Sequence, residues 1–323
     1  MQYKLLGKTG VQVSQLCYGT MSFGGDADEA TSAAMFNRCR DAGINFFDCA
    51  NVYSGGVSEE ILGRLMADCR DDLVITSKVF GNMGGGINGG GLNRRHMVQA
   101  VEDSLKRLNT DRIDLYFVHQ FDPLTPIEEV VYGLDMLVQQ GKILYPAVSN
   151  WTAWQMVKAL GIAEYRNLAR FECIQPMYNL SKRQVEVEIL PMAQAEQVSV
   201  IPYGPLGGGL LAGKYTTAQR PEVGRLLQNE MYAKRYQEDI YYEIAENFTN
   251  FAAKQGTHPA SLAVAWVMAH PGVTAPIIGS RNLDQLEGSL ASLDVNMTPD
   301  LYEEISSLAP APSPATDRSE ENK

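Results

Sequence analysis

The chain has 323 residues, of which 45% are hydrophobic and 20% charged, and its formal net charge is −11 at pH 7. A chain of this length and apolar content can build a sizeable core, as one large α/β domain or as two average domains. The acidic excess argues against a nucleic-acid partner, because binding a phosphate backbone needs clustered Lys and Arg.

No segment predicts a membrane span, a secretory leader or a metal site. The apolar run at 260–269 is shorter than the roughly 18 residues that a spanning helix needs. The sequence opens without the basic and then apolar run of a signal peptide. The 5 cysteines form no CxxC pair, and the 4 histidines lack the spacing of metal ligands. We therefore expect a cytoplasmic protein without membrane insertion or a structural metal.

Short β-branched segments alternate with longer amphipathic segments along the chain, which predicts repeated βα units. The first residues predict a hairpin, with strands at Tyr3–Leu6 and Val11–Ser14. Eight further strands are predicted at Leu16–Gly19, Asn45–Asp48, Leu73–Lys78, Ile113–His119, Ile143–Ser149, Cys173–Pro176, Val198–Tyr203 and Ala275–Gly279. Apolar residues at helical spacing predict helices at Asp28–Ala42, Arg94–Leu108 and 127–140.

Eight βα units predict a parallel sheet, and no GxGxxG opens the first helix, which counts against an open dinucleotide-binding sheet. We therefore predict an α/β fold, a (β/α)8 TIM barrel with the hairpin capping its bottom. The barrel is expected to form a single domain over residues 1–308, followed by a disordered, polar tail over 309–323. Two long connections, 81–91 and 207–238, follow the third and seventh strands. We interpret the first as a flexible connection, with a gating lid as the alternative.

Ionisable residues stand at the carboxyl ends of three neighbouring predicted strands, and these ends meet at one mouth in a TIM barrel. Asp48 ends the second strand, with Tyr53 close behind it, Lys78 ends the third and His119 ends the fourth. A lysine cation lowers the pKa of a nearby tyrosine, and an aspartate keeps that lysine charged. A histidine N–H can stabilise negative charge on a substrate oxygen. The set suits protonation of a carbonyl oxygen while a hydride reaches the carbonyl carbon.

Each of these residues alone also has a structural interpretation, as a core histidine, a helix N-cap or a rim ion pair. Their joint placement at successive strand ends favours the catalytic interpretation. The segments that carry them, 45–53, Ile75–Lys78 and Leu115–His119, resemble the catalytic segments of aldo-keto reductases. The resemblance extends from the hairpin to about residue 293. It implies an NADP-dependent oxidoreductase that reduces an aldehyde or ketone, with Tyr53 as the general acid.

The same resemblance implies that Lys78 and Asp48 tune Tyr53, that His119 orients the carbonyl, and that the cofactor is NADPH. Its nicotinamide is expected to contact Ser149, Asn150, Gln175 and the ring of Tyr203. Residues expected along the rest of the cofactor or beside it are Gly19, Thr20, Met21, Asp48, Gly204, Pro205, Leu206, Gly207, Gly208, Lys214, Arg225, Gly279, Ser280, Arg281, Gln285 and Ser289. The guanidinium of Arg281 suits the 2′-phosphate. Ser289 replaces the usual asparagine of the family, so weaker adenine contacts are expected there.

A small carbonyl substrate is expected between Tyr53 and His119. Phe23, Phe80 and Trp151, together with Met21, are expected to line an apolar slot for it, with core packing as the alternative for Met21. A homo-oligomer is compatible with the sequence, but no apolar stripe predicts its interface. Two other functions stay open: a cofactor-binding regulatory subunit of a membrane-channel assembly, as in channel-associated family members, and a barrel isomerase or lyase. The isomerase or lyase leaves Tyr203, Gln175 and Arg281 without a role.

Overall fold

The structure is a computed structural model that describes residues 1–222 and 224–318. Its strands are β1 (Tyr3–Leu5), β2 (Gln12–Ser14), β3 (Cys17–Gly19), β4 (Phe46–Asp48), β5 (Val74–Val79), β6 (Ile113–Val118), β7 (Ile143–Ser149), β8 (Cys173–Gln175), β9 (Ser199–Val200) and β10 (Ile277–Ile278). Its α-helices are α1 (Glu29–Asp41), α2 (Val57–Leu65), α3 (Arg94–Arg107), α4 (Ile127–Gln139), α5 (Ala153–Arg166), α6 (Ile189–Glu196), α7 (Arg225–Gln228), α8 (Glu230–Arg235), α9 (Asp239–Lys254), α10 (Pro259–Ala269), α11 (Leu283–Leu290) and α12 (Pro299–Ser306).

The strands β3 to β10 form one parallel sheet in which each strand from β3 to β8 pairs with the next along the chain, and β10 pairs with β3. Between β9 and β10 the sheet continues through a bridge from Tyr203 to Ile277 and a 2.9 Å hydrogen bond from the Ile277 amide to the Pro202 carbonyl. The sheet therefore curls into the predicted (β/α)8 barrel. The predicted hairpin is also confirmed, because β1 and β2 pair antiparallel with Tyr3 opposite Ser14.

The apolar residues divide into two layers, as the alternation of side chains along a strand requires. The inner cluster fills the barrel and includes Phe46, Leu115 and Phe117. Leu6 and Val13 of the hairpin belong to the same cluster, so the hairpin covers the bottom of the barrel. The outer cluster lies between the strands and the helices.

Capping side chains explain where the predicted helices begin. Asp28 accepts a 2.8 Å hydrogen bond from the Thr31 amide, so it caps α1 and the helix starts one residue later than predicted. Asn93 accepts in the same way from the His96 amide at 2.9 Å, and α3 starts at Arg94 as predicted.

Residues 309–318 of the predicted tail have no helix or strand, and residues 319–323 lie outside the described part of the chain. Ala309 is buried in the outer cluster. The division into one domain and a tail stays a prediction. Among the described residues, no helix is both long and apolar enough to cross a membrane.

Candidate active site

Three of the predicted catalytic residues face the inside of the barrel because of their positions in the strand alternation. Phe46 of β4 belongs to the inner cluster, and Asp48 follows it by two residues. Val74 of β5 belongs to the same cluster, and Lys78 follows it by four. Phe117 of β6 also belongs to the inner cluster, and His119 follows it by two residues. Since side chains two or four residues apart share a face, all three converge at the carboxyl end of the barrel.

Hydrogen bonds join Asp48, Lys78 and Tyr53 into one chain. The Lys78 Nζ atom lies 2.6 Å from Asp48 Oδ2 and 3.2 Å from Tyr53 Oη. Its third hydrogen bond, of 2.8 Å, goes to the carbonyl of Cys49. The Lys78 side chain is 0% exposed and that of Asp48 is 3% exposed. The ammonium therefore uses all its donors inside the protein and is fixed against the phenol oxygen.

A tight turn after β4 brings Tyr53 to this position. Ser54 and Gly55 both have positive φ, 49° and 65°, and Gly56 at 100° precedes α2. Glycine takes such conformations without steric cost, whereas serine does not. Ser54 is held there by its own hydroxyl, which donates a 2.8 Å hydrogen bond to the Phe23 carbonyl.

Burial raises the pKa of Tyr53 to about 12, against the opposing effect of the Lys78 cation. This net direction is opposite to the lowering that the sequence predicted, because burying the phenolate costs more than Lys78 recovers. Burial alone would lower the pKa of Lys78, but the Asp48 carboxylate, followed by Tyr53, outweighs burial and raises it. At neutral pH the phenol therefore carries its proton and the lysine its charge.

His119 lies beside Tyr53, with its ring centroid 6.1 Å from the phenol ring in an edge-on arrangement. Burial and then the Lys78 cation lower the pKa of His119 to about 3. The imidazole is therefore neutral at pH 7, when it has one N–H donor and one acceptor nitrogen.

Asp48 is held by two further side chains. Its Oδ1 atom accepts hydrogen bonds from Thr76 at 2.7 Å and from the Gln175 amide at 2.9 Å. The Thr20 hydroxyl is buried and donates to the Asp48 carbonyl at 3.1 Å. Gln175 and Thr20, both predicted at the cofactor, are thus bonded to Asp48 in this structure.

The other residues predicted at the nicotinamide adjoin the same mouth. The Tyr203 hydroxyl donates to Asn150 Oδ1 at 2.8 Å, and the Asn150 side-chain amide donates to the His119 carbonyl at 3.0 Å. The Ser149 hydroxyl donates to the Gln175 carbonyl at 2.9 Å. The structure therefore brings these residues to the edge of the catalytic group.

The segment 204–208 turns sharply above β9. Gly204, Gly207 and Gly208 have φ of 70°, 58° and 70°, and Pro205 and Leu206 lie between them. A Cβ atom on Gly208 would stand 2.7 Å from the Tyr232 ring. Glycine is required here both for the left-handed backbone and for the close approach of Tyr232.

Basic side chains gather beside this turn. Arg281 Nε lies 3.3 Å and Arg225 Nη2 lies 3.6 Å from the same carboxylate oxygen of Asp26. Burial and the Arg281 cation lower the pKa of Lys214. Gln285 accepts a 3.1 Å hydrogen bond from the Arg281 amide. The predicted phosphate residues are thus neighbours, and the arrangement concentrates positive charge.

Several predicted site residues lie in the core instead of at the mouth. Phe23 is 0% exposed and packs against Tyr18, with 5.9 Å between ring centroids. The buried hydroxyls of Ser280 and Tyr18 are 3.1 Å apart. Ser289 is buried and donates to the carbonyl of Gln285 within its own helix, at 3.3 Å. The Phe23 and Ser289 side chains point into the core, because the loop after β3 and the helix α11 turn them inward.

The remaining predicted residues surround the mouth. Gly19 and Gly279 are neighbours at the ends of β3 and β10, since a Cβ atom on Gly279 would stand 3.8 Å from the Gly19 carbonyl oxygen. Met21 is 41% exposed and Phe80 is half-buried. Trp151 is buried and packs edge-on against Phe121 at 5.5 Å.

Sequence reasoning missed Asp26 and Glu59. Glu59 is fully buried in α2. It pairs with Arg107 Nε at 2.7 Å and accepts a hydrogen bond from the hydroxyl of Ser77, the residue next to Lys78. Asp26 lies in an irregular loop. Neither stands at a strand end, so neither carried a sequence pattern that predicts its partner.

Residues 15–310 match the model of the Aldo/keto reductase family. The chain belongs to this family. Similar proteins include the "Probable voltage-gated potassium channel subunit beta" of Oryza sativa subsp. japonica, 36% identical over 95% of this chain and 96% of that protein. The "Uncharacterized oxidoreductase YrpG" of Bacillus subtilis is 34% identical over 98% of both chains. The "Norsolorinic acid reductase" of Aspergillus flavus is 33% identical over 95% of this chain and 80% of that protein. Membership of the aldo/keto reductases supports an oxidoreductase that acts on carbonyl groups with a nicotinamide cofactor.

Proposed function

We propose that the chain is an NADPH-dependent reductase that converts an aldehyde or ketone to an alcohol. The observation that carries the proposal is the buried chain of hydrogen bonds from Asp48 through Lys78 to Tyr53, beside a neutral His119. General acid catalysis needs a protonated donor within reach of the substrate oxygen, and Tyr53 meets the first requirement at neutral pH.

Tyr53 transfers its phenolic proton to the carbonyl oxygen of the substrate. Lys78 stabilises the phenolate that forms, and Asp48 keeps Lys78 charged and in position. Neutral His119 donates a hydrogen bond to the same substrate oxygen and orients it. When bound, NADPH supplies the hydride to the carbonyl carbon.

The donor set beside the barrel mouth fits a dinucleotide phosphate. Gly204 leaves the backbone open to close approach, since a Cβ atom there would meet nothing within 4 Å, and Lys214 lies near enough to Arg281 for one cation to lower the pKa of the other. An anion between them relieves this repulsion. We assign the pyrophosphate to the turn and Lys214, the 2′-phosphate to Arg281, and the carboxamide to Ser149, Asn150 and Gln175. Phe80 and Trp151 are proposed to flank the substrate.

The test is a fluorescence titration with NADPH, with NADH in parallel, followed by addition of 4-nitrobenzaldehyde. We expect NADPH to bind more tightly than NADH and to be oxidised only when the aldehyde is present. Absence of NADPH binding would remove the proposal.

The variant Tyr53→Phe removes the proton donor and keeps the ring. We expect kcat to fall by about 10²–10⁴-fold while the Kd for NADPH stays nearly constant. Tyr165→Phe serves as the control, because Tyr165 is 82% exposed on α5. Full turnover by Tyr53→Phe would mean that another group provides the proton.

A second candidate is a cofactor-binding subunit of a channel assembly. It is favoured by the names of the relatives from rice and from Arabidopsis thaliana, each called a "Probable voltage-gated potassium channel subunit beta", at 36% and 35% identity. This function predicts NADPH binding with negligible aldehyde reduction, together with a stable stoichiometric complex with a membrane protein.

The free thiols of all 5 cysteines are in keeping with a reducing compartment, and we propose the cytoplasm.

A further inference from the structure

A cavity of about 600 Å³ lies beside the barrel mouth. Its walls come from residues 150–152, 176–177 and 180–185, from the start of α9 and from the first residues of the tail. Tyr203 and Asn150 separate it from the catalytic group, and none of the four proposed catalytic residues lines it. A volume of this size is typical of small-molecule sites.

The charges around the cavity are positive. Lys182 and Arg183 line it, and no acidic residue is among the described residues that do. Arg183 is neutralised, because two of its nitrogens lie 2.9 Å from the carboxylate of Glu186, and a third donates to the Ser306 carbonyl at 2.8 Å. Its role is to fasten this loop to α12.

Lys182 has no such counterion. Its Nζ atom donates to the Tyr241 hydroxyl and lies 4.1 Å from the Tyr241 ring centroid and 5.7 Å from that of Tyr236. No carboxylate of the described residues is within ion-pair distance. Two tyrosines therefore orient a half-buried ammonium that has no anion, in a chain whose net charge is −11.

Two neutral polar groups of the cavity wall are also without partners. Within the described chain, the buried Trp151 Nε1 and Ser181 Oγ atoms make no hydrogen bond. Leaving a buried donor unsatisfied costs free energy, so a ligand oxygen is favoured where a small movement of either side chain opens it to the cavity. The rest of the wall is largely apolar, with Leu180, Val185, Ile189, Ile240 and Ile244.

We propose that this cavity binds an organic carboxylate with an apolar chain. Its carboxylate pairs with Lys182 and accepts from the polar wall, while its chain packs against the aliphatic residues. One uncompensated cation matches one negative charge, and a phosphate dianion would need further donors. The cavity shares Asn150, Trp151 and Tyr203 with the proposed reductase site, but none of the four proposed catalytic residues lines it, so its occupancy does not depend on turnover.

The test is isothermal titration of the full chain with decanoate, with decanol as the uncharged probe. We expect saturable binding of decanoate and at least about tenfold weaker binding to Lys182→Gln, because a hydrogen bond to a charged group is lost. Decanol should bind both proteins weakly and equally. Lys158→Gln, which removes an exposed lysine of α5, is the matched control and should leave the decanoate affinity unchanged.

Ser181→Ala provides a second, milder variant, and circular dichroism verifies that both variants are folded. We expect Ser181→Ala to weaken decanoate binding by about two- to tenfold, because the hydroxyl is lost. The proposal is overturned if decanoate does not saturate, if Lys182→Gln binds it as well as the unaltered chain, or if decanol binds as tightly as decanoate.

Discussion

At the scale of single residues, burial sets the protonation states of the candidate site. Tyr53 and His119 stand in the same mouth, and their pKa values move apart to about 12 and about 3. Both are neutral at pH 7, and the formal charges reside on Lys78 and Asp48 below them. The site thus presents two neutral donors to a substrate oxygen and keeps its cation one hydrogen bond away.

The low pKa of His119 predicts a loss of stability in acid. Its folded pKa of about 3 lies below the unfolded value of roughly 6.5, so the unfolded chain takes up the proton first as the pH falls. The contribution is complete above about pH 6.5 and is lost towards pH 3. Between pH 7 and 5 we expect His119 to account for a loss of about 2 kcal/mol in the free energy of unfolding.

Urea unfolding of the unaltered chain and of His119→Asn at both pH values measures this contribution. The variant should lose less stability on acidification than the unaltered chain does. Equal losses in both proteins would show that the folded chain protonates His119 as readily as the unfolded chain does.

The positions of Asp48, Lys78 and His119 could be predicted because strand alternation and the polarity of a parallel barrel determine them. The pKa direction of Tyr53 could not, since it depends on how completely the loops above the barrel bury the phenol. The partners of Asp26 and Lys182 could not be predicted either. These partners come from loops that are distant in sequence and meet only in the folded chain.

At the scale of elements, prolines explain the two strands that fall furthest short of their predicted lengths, β9 and β10. The segment Val198–Tyr203 was expected as a strand, but β9 ends at Val200, and β10 begins only after Pro276. Pro202 and Pro276 have no N–H to donate to a ladder. The pairing therefore continues beyond β9 as isolated bridges of Tyr203 to Met177 and Ile277.

Three connections of the barrel meet at Asp26, which lies in the loop after β3. It pairs with Arg225 of the connection after β9 and with Arg281 of the connection after β10. Its carboxylate occupies the guanidinium that we assign to the 2′-phosphate, so the two anions compete. We expect Asp26→Asn to strengthen NADPH binding by about two- to fivefold, with NADH nearly unaffected, because exposed ion pairs are weak.

Arg281→Ala should have the opposite effect and weaken NADPH binding much more than NADH binding. Asp68→Asn, at an exposed aspartate of another loop, is the control. Fluorescence titration of each variant with both cofactors measures these changes. If Asp26→Asn instead weakened NADPH binding, Asp26 would act as a clasp that holds the loops over the cofactor.

At the scale of the whole molecule, Asn150 and Tyr203 adjoin both the proposed nicotinamide site and the carboxylate cavity. A ligand on either side packs against this hydrogen-bonded pair and restricts its motion, so the second ligand has less ordering to impose. We therefore expect saturating decanoate to lower the Kd for NADPH by about two- to fivefold. By linkage, NADPH must lower the Kd for decanoate by the same factor. Titrations in both orders measure the coupling, and Lys182→Gln should abolish the effect of decanoate at the same concentration. Identical NADPH affinities with and without bound decanoate would mean that the two sites are independent, even though they share a wall.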